Sequence, residues 1–212
     1  MRRFGVDEAG KGPVLGSMFA ACVVADPDSL PAGLRDSKKL TPARREELDA
    51  ALRDTDGVRL GVAEVPVGRI DDPGTDMNTL TVDAHAAAID AANADGRGIV
   101  DAGDTSEERF ASRVEAAADR DVEVTAEHGA DDAHSIVAAA SVVAKVARDA
   151  HVDALADEYG NVGSGYPSDP TTREFLAAYV RERGELPGCA RASWSTCDDV
   201  LAAAEQSALS EF

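Results

Sequence analysis

Residues 14–25 form the longest apolar stretch, and they constrain the fold more than any other segment. The run is 12 residues long and contains Gly16 and Ser17. A membrane-spanning helix needs about 20 apolar residues, so this is no transmembrane segment. Residues 15–25 instead read as a strand that is apolar on both faces, and such a strand must be covered on both sides. The first strand precedes it: Phe4-Gly5-Val6 leads into Asp7-Glu8. Gly10, Gly12 and Pro13 then mark a turn over residues 8–13.

The rest of the chain alternates. Thr41-Pro42 starts a helix with an apolar face at Leu48, Ala51 and Leu52. Val58, Leu60 and Val62 alternate as a third strand, and residues 81–94 carry helical periodicity. Gly98-Ile99-Val100 runs into Asp101 as a fourth strand. Asp104 or Thr105 is expected to cap the following helix, and Val122 and Val124 mark a fifth strand. A long helix through Ile136, Val143 and Leu155 follows. Residues 160–170 read as a loop, with helices beginning at Asp169-Pro170 and after Trp194. This order predicts an α/β fold, a mixed five-stranded sheet flanked by helices, with a small C-terminal helical region. The expected division is a catalytic domain over 1–159, a loop and helical region over 160–205, and a tail over 206–212.

Composition then bears on the partner. The chain has 212 residues, 40 of them Asp or Glu against 21 Lys or Arg, for a net charge of −19. Such a surface argues at first against a polyanion. Acidic, lysine-poor surfaces are also a halophile pattern, and at molar salt the Debye length is only about 3 Å. Only Lys11, Lys38, Lys39 and Lys145 are lysines. Asp7 and Glu8 interrupt any signal-peptide core, and Cys22, Cys189 and Cys197 form no Cys-x-x-Cys pair, so a cytoplasmic protein with reduced thiols is expected.

The chemistry concentrates in acids at strand ends: Asp7 and Glu8 after the first strand, Asp101 after the fourth, and Asp131 after the fifth. Ligand sites in α/β sheets gather at such ends. Converging carboxylates repel one another unless cations lie between them. Oxygen ligands suit Mg²⁺ or Mn²⁺, and paired ions suit phosphodiester hydrolysis. Asp131 also reads as a plain helix cap, as do Asp104, Asp132 and Asp169. Neighbouring strand residues point to opposite faces, so Asp7 and Glu8 share a site only if the chain turns at Glu8.

Several blocks together resemble the type 2 ribonucleases H, the ribonuclease HII family, in its archaeal branch. They are Gly5-Val6-Asp7-Glu8-Ala9-Gly10-Lys11-Gly12-Pro13-Val14, Asp36-Ser37-Lys38-Lys39-Leu40, Asp101-Ala102-Gly103-Asp104, Ala130-Asp131-Asp132, the run from Ala139 to Asp149, and Gly163-Ser164-Gly165-Tyr166-Pro167. The resemblance implies a ribonuclease H-like fold. It also implies an endoribonuclease that cuts RNA in RNA–DNA hybrids and at ribonucleotides embedded in duplex DNA, as in ribonucleotide excision repair. The products would carry 5′-phosphate and 3′-hydroxyl ends.

On the same resemblance Asp7, Glu8, Asp101 and Asp131 are the catalytic and metal-binding carboxylates, with Mn²⁺ or Mg²⁺ as cofactor. Gly10, Lys11 and Gly12 form the turn that reads the ribose 2′-hydroxyl, with Lys11 where the family usually has Arg. Tyr166 packs on the adjacent sugar. Lys38 and Lys39 hold phosphates or lie in a solvated loop, and Lys145 is an ion-pair partner of Asp149. His128 and His134 bracket Asp131 as proton-transfer or structural groups. In the tail, Gln206, Leu209 and Phe212 resemble a peptide that docks on the DNA sliding clamp. A monomer is expected. The competing readings are a non-catalytic acidic protein that binds cations or a partner, and another nuclease of the ribonuclease H-like fold.

Overall fold

A computed structural model describes residues 3–34 and 40–209, with side chains through residue 206. Five strands form one sheet in the order β3-β2-β1-β4-β5. They are β1 (Arg3–Ala9), β2 (Met18–Ala25), β3 (Arg59–Val65), β4 (Gly96–Asp101) and β5 (Val122–Glu127). β1 pairs antiparallel with β2 and parallel with β4, and β4 pairs parallel with β5. The sheet is therefore mixed, as the alternating pattern predicts. β2 sits second in the order and every one of its residues is buried.

The helices are α1 (Pro42–Asp54), α2 (Val67–Ile70), α3 (Met77–Ala91), α4 (Glu107–Ala117), α5 (Ala130–Ala133), α6 (Ser135–Tyr159), α7 (Pro170–Arg183) and α8 (Ser195–Leu209). Their starts follow local chemistry. Thr41 caps α1 by accepting from the Arg44 N–H, with Pro42 in the first turn. Asp169 caps α7 in the same way. Two expected boundaries move. The helix expected from residue 81 begins at Met77, because Asp76 accepts from the Asn78 and Thr79 amides. Ser106, not Asp104 or Thr105, caps α4. Asp104 is turned instead to Arg109, at 2.5 Å, and to the Thr105 amide. Asp132 lies inside α5, so it is not a cap either.

The chain divides into two compact units. The first comprises Met1–Lys11, Met18–Val65 and Asp76–Asp149, and the second Gly12–Ser17, Pro66–Thr75 and Ala150–Phe212. The boundary therefore does not fall at residue 159: segments 12–17, 66–75 and 150–159 group with the C-terminal helices. In the first unit Ala21, Val23 and Ala25 of β2 pack with Leu48 and Leu52 of α1 and with the 136–144 stretch of α6. In the second, Val14, Leu15, Leu155, Val162, Leu176, Cys189 and Cys197 form a separate core.

The apolar run of residues 14–25 is thus split between the units. Gly16 adopts φ +79°, which interrupts the extended chain, and β2 begins only at Met18. Residues 14–17 are fixed within the second unit. The Val14 amide donates to the Gly165 carbonyl at 2.8 Å, and the Gly16 amide to the Cys189 carbonyl at 2.8 Å. The fully buried Arg191 donates from Nε to the Gly16 carbonyl at 2.8 Å and lies over the Trp194 ring.

Candidate active site

The carboxylates gather at the C-terminal ends of β1 and β4. β1 does not turn at Glu8; it stays paired with β2 through Ala9. Asp7 and Glu8 consequently leave the strand on opposite faces. Asp7 lies on the face of Gly5, which is against the Ile136 backbone of α6. Parallel register puts Ile99, and by alternation Asp101, on that same face. Glu8 lies on the other face, where its Oε2 is 2.8 Å from His85 Nε2 of α3.

Asp7 and Asp101 are each held by named donors. The Glu8 amide donates to Asp7 Oδ1 at 2.8 Å, and Ser141 of α6 hydrogen-bonds the same carboxyl. Lys145 in turn donates from Nζ to Ser141 Oγ at 2.7 Å. Asp101 Oδ1 accepts from the Ala130 amide at 2.8 Å. That bond ties the end of β4 to the first residue of α5, next to the buried Asp131.

The electrostatics show that these groups act on one another. Burial, then the charges of Glu8 and Asp101, push the Asp7 carboxyl well above its ordinary value, against the pull of Ser141 and Lys145. Asp101 is raised by burial and by the charges of Glu8 and Asp131, partly offset by the Ala130 amide. Burial raises Glu8 too, but the hydrogen bond and charge of His85, with Lys11, outweigh it, so Glu8 ends below the ordinary range. Two groups are thus pushed towards the neutral form and one is kept charged. Among the described residues, no three His, Cys, Asp or Glu side chains are gathered closely enough to hold an ion alone.

The other expected site residues are placed as follows. Lys11 Nζ donates to the Gly103 carbonyl at 2.6 Å, so the ammonium rests on the loop after Asp101 and beside Glu8. Gly12 and Tyr166 come together in the second unit, where a Cβ at Gly12 would lie 3.8 Å from the tyrosine ring. Tyr166 is 41% exposed, one of two large apolar side chains left so among the described residues. Lys38, Lys39 and Phe212, and the side chain of Leu209, lie outside what is described; Gln206 is exposed on α8. Lys145 serves Ser141 and Asp7, while Asp149 pairs with Arg45 at 2.6 Å. His128 bonds Glu107 and the Asp104 carbonyl, and His134 bonds Glu127.

Sequence reasoning missed His85 and the Ser141–Lys145 link. The signal for His85 was available: one imidazole among Leu80, Val82, Ala84, Ala86 and Ala88 on a helix otherwise set for burial.

The architecture is shared with solved ribonucleases H. Ribonuclease H2 of Pyrococcus horikoshii superposes with a TM-score of 0.87 at 36% identity, over 97% of this chain and 99% of that one. Ribonuclease HII of Archaeoglobus fulgidus, solved in a complex with PCNA, gives 0.84 at 36% identity over 93% and 96%. The fold is therefore ribonuclease H-like. The sequence profile of the Ribonuclease HII family matches residues 4–197. Ribonuclease HII of Halobacterium salinarum is 67% identical over 214 residues, covering all of both chains. The chain belongs to the ribonuclease HII family, in its halophilic archaeal branch. It is an endoribonuclease of the ribonuclease H class, acting on RNA–DNA hybrids, and the non-catalytic reading is set aside. Among the described residues no helix is long and apolar enough to cross a membrane.

Proposed function

We propose that Asp7, Glu8, Asp101 and Asp131 hold divalent cations, Mn²⁺ or Mg²⁺, and that the enzyme cuts at ribonucleotides embedded in duplex DNA as well as in longer hybrids. The observation that carries this reading is geometric: Asp7, Glu8 and Asp101 lie at the ends of two paired strands, and Asp101 Oδ1 accepts from the Ala130 amide beside the buried Asp131. The donor set fits such ions. It consists of hard oxygens, and the burial that penalises bare carboxylates favours a cation among them. When bound, the ions supply charge neutralisation for the attacking and leaving oxygens of phosphodiester hydrolysis.

The protein's own groups orient this site. Ser141 and the Glu8 amide fix Asp7, the Ala130 amide fixes Asp101, and His85 fixes Glu8. In the turn after β1, Gly10 and Gly12 allow backbone donors to approach a ribose 2′-hydroxyl, the group that separates RNA from DNA. Lys11 contributes positive charge beside Glu8. The exposed Tyr166 ring offers a base-tolerant packing surface for a sugar. Lys38 and Lys39 are assigned to phosphate contact. The three cysteines are unpaired and buried, which suits a reducing cytoplasm, and the enzyme is assigned as a monomer there.

Cleavage-site mapping on a DNA duplex with one ribonucleotide, across Mg²⁺, Mn²⁺ and chelator, tests the reading. Asp7→Asn and Asp101→Asn are expected to abolish cleavage while folding is retained, and the parent is expected to leave 5′-phosphate and 3′-hydroxyl ends. Full activity in either variant overturns the assignment.

The tail is assigned to a sliding clamp through Gln206, Leu209 and Phe212. The exposure of Gln206 late in α8 and the Archaeoglobus complex with PCNA support this. Deleting residues 206–212 should remove clamp binding without changing cleavage of a short duplex; unchanged clamp affinity overturns it.

A further inference from the structure

His85 is a side chain that packing alone does not explain. It is fully buried on α3, and its helix neighbours Leu80, Ala84, Ala88 and Ile89 are buried and apolar. Its Nε2 is 2.8 Å from Glu8 Oε2. Its Nδ1 is buried and has no hydrogen-bond partner among the described residues. The ring meets Phe110 edge-on, with centroids 5.2 Å apart. A buried polar atom left unpaired costs free energy that an aliphatic side chain of similar size would not. α3 is secured by other means: Asp76 caps it, and its Ala88–Ala92 backbone lies against Gly61 of β3. The polarity at position 85 therefore serves the polar group it bonds, the Glu8 carboxylate.

We propose that His85 is a positioning residue for the cleavage reaction, holding the Glu8 carboxylate by a hydrogen bond from Nε2–H in the orientation a divalent cation requires. The inference rests on the reading of Glu8 as a metal ligand. Glu8 needs such a partner more than Asp7 does. Asp7 has two donors, the Glu8 amide and Ser141, whereas Glu8 extends on the opposite face as a longer side chain with more rotatable bonds. Fixing one carboxylate oxygen removes rotational freedom that the cation would otherwise have to remove on binding. Groups that hold a metal's ligands in this way typically change metal affinity or activity by about 10–100-fold when removed.

The test compares His85→Leu, which fills the space without a donor, with His85→Gln, whose amide N–H reaches close to the place of Nε2. Mn²⁺ binding to the full-length protein is measured by calorimetry without substrate, and the metal dependence of cleavage is measured beside it. His85→Leu is expected to weaken Mn²⁺ binding about 10–100-fold and to raise the half-maximal metal concentration by a similar factor. His85→Gln is expected to recover most of both. Parent-like Mn²⁺ binding in His85→Leu overturns the proposal, and so does an equal loss in the two variants. If His85→Leu does not fold, His85→Met replaces it; failure of all three to fold assigns the imidazole to packing and also overturns it. Glu8→Gln is run in parallel. Parent-like Mn²⁺ binding there removes Glu8 from the ligand set, a different failure from a silent His85.

Discussion

Single side chains in this enzyme are set by their donors. Asp169 accepts from the Ser164 and Thr171 amides, which hold its carboxyl at about 2 against an ordinary 3.8. The folded state thus favours the charged form. The resulting stability is complete above the ordinary value and is lost as pH falls through about 2. In acid unfolding curves Asp169→Ala should be less stable than the parent near neutrality, and the gap should close between pH 3.8 and about 2. Asp104, held at about 2 first by its Arg109 hydrogen bond, should behave alike in Asp104→Ala. At the active site, Ser141→Ala removes a donor that lowers Asp7 and the hydroxyl that accepts from Lys145 Nζ. The Asp7 carboxyl should rise further, so the acid limb of the activity profile should move to higher pH. A profile superimposable on the parent's would refute the link.

At the level of elements, close backbone approach decides what is tolerated. Gly61 on β3 packs directly on α3; a Cβ there would collide with the Ala88 carbonyl and the Ala92 amide. Backbone cannot yield as a side-chain tip does, so Gly61→Ala should destabilise by at least about 1–3 kcal/mol in a denaturant titration. Asp76→Ala should cost about 1 kcal/mol by removing the α3 cap. Most elements were legible in the sequence, because alternation, caps and Pro-first turns are local signals. Thr41-Pro42 and Asp169-Pro170 mark their helices to the residue. What was not legible depends on distant partners. Residues 14–17 look like more of β2, but their hydrogen bonds go to residues 165 and 189, which periodicity cannot register. Asp7 and Glu8 were legible as site candidates. Their arrangement was not: the expected turn is absent, and the site draws on both faces of one strand end. His85 stands out in the sequence as one imidazole in an apolar helical phase, but its partner Glu8 lies 77 positions away, which periodicity cannot register.

For the whole molecule the excess of acids is the governing term. With a net charge of −19 the folded chain repels itself, and raising KCl from about 0.1 M to about 1 M shortens the Debye length from about 10 to about 3 Å. The thermal unfolding midpoint should rise across that range; a midpoint that falls contradicts a halophilic surface. Substrate affinity should decline only gently with salt. Few lysines are available to release counterions, and one of them, Lys11, is already seated on the Gly103 carbonyl.

The division of the chain also bears on the order in which a ribosome can finish the enzyme. The segment just after the Gly-Lys-Gly turn emerges early, yet its partners are Gly165, Cys189 and Arg191. Leu15 likewise bridges to Ala190. The first unit has all its strands once Glu127 is made, but residues 14–17 stay unanchored until almost the whole polypeptide has left the exit tunnel. A nascent chain stalled before residue 189 would thus lack the partners that hold residues 14–17.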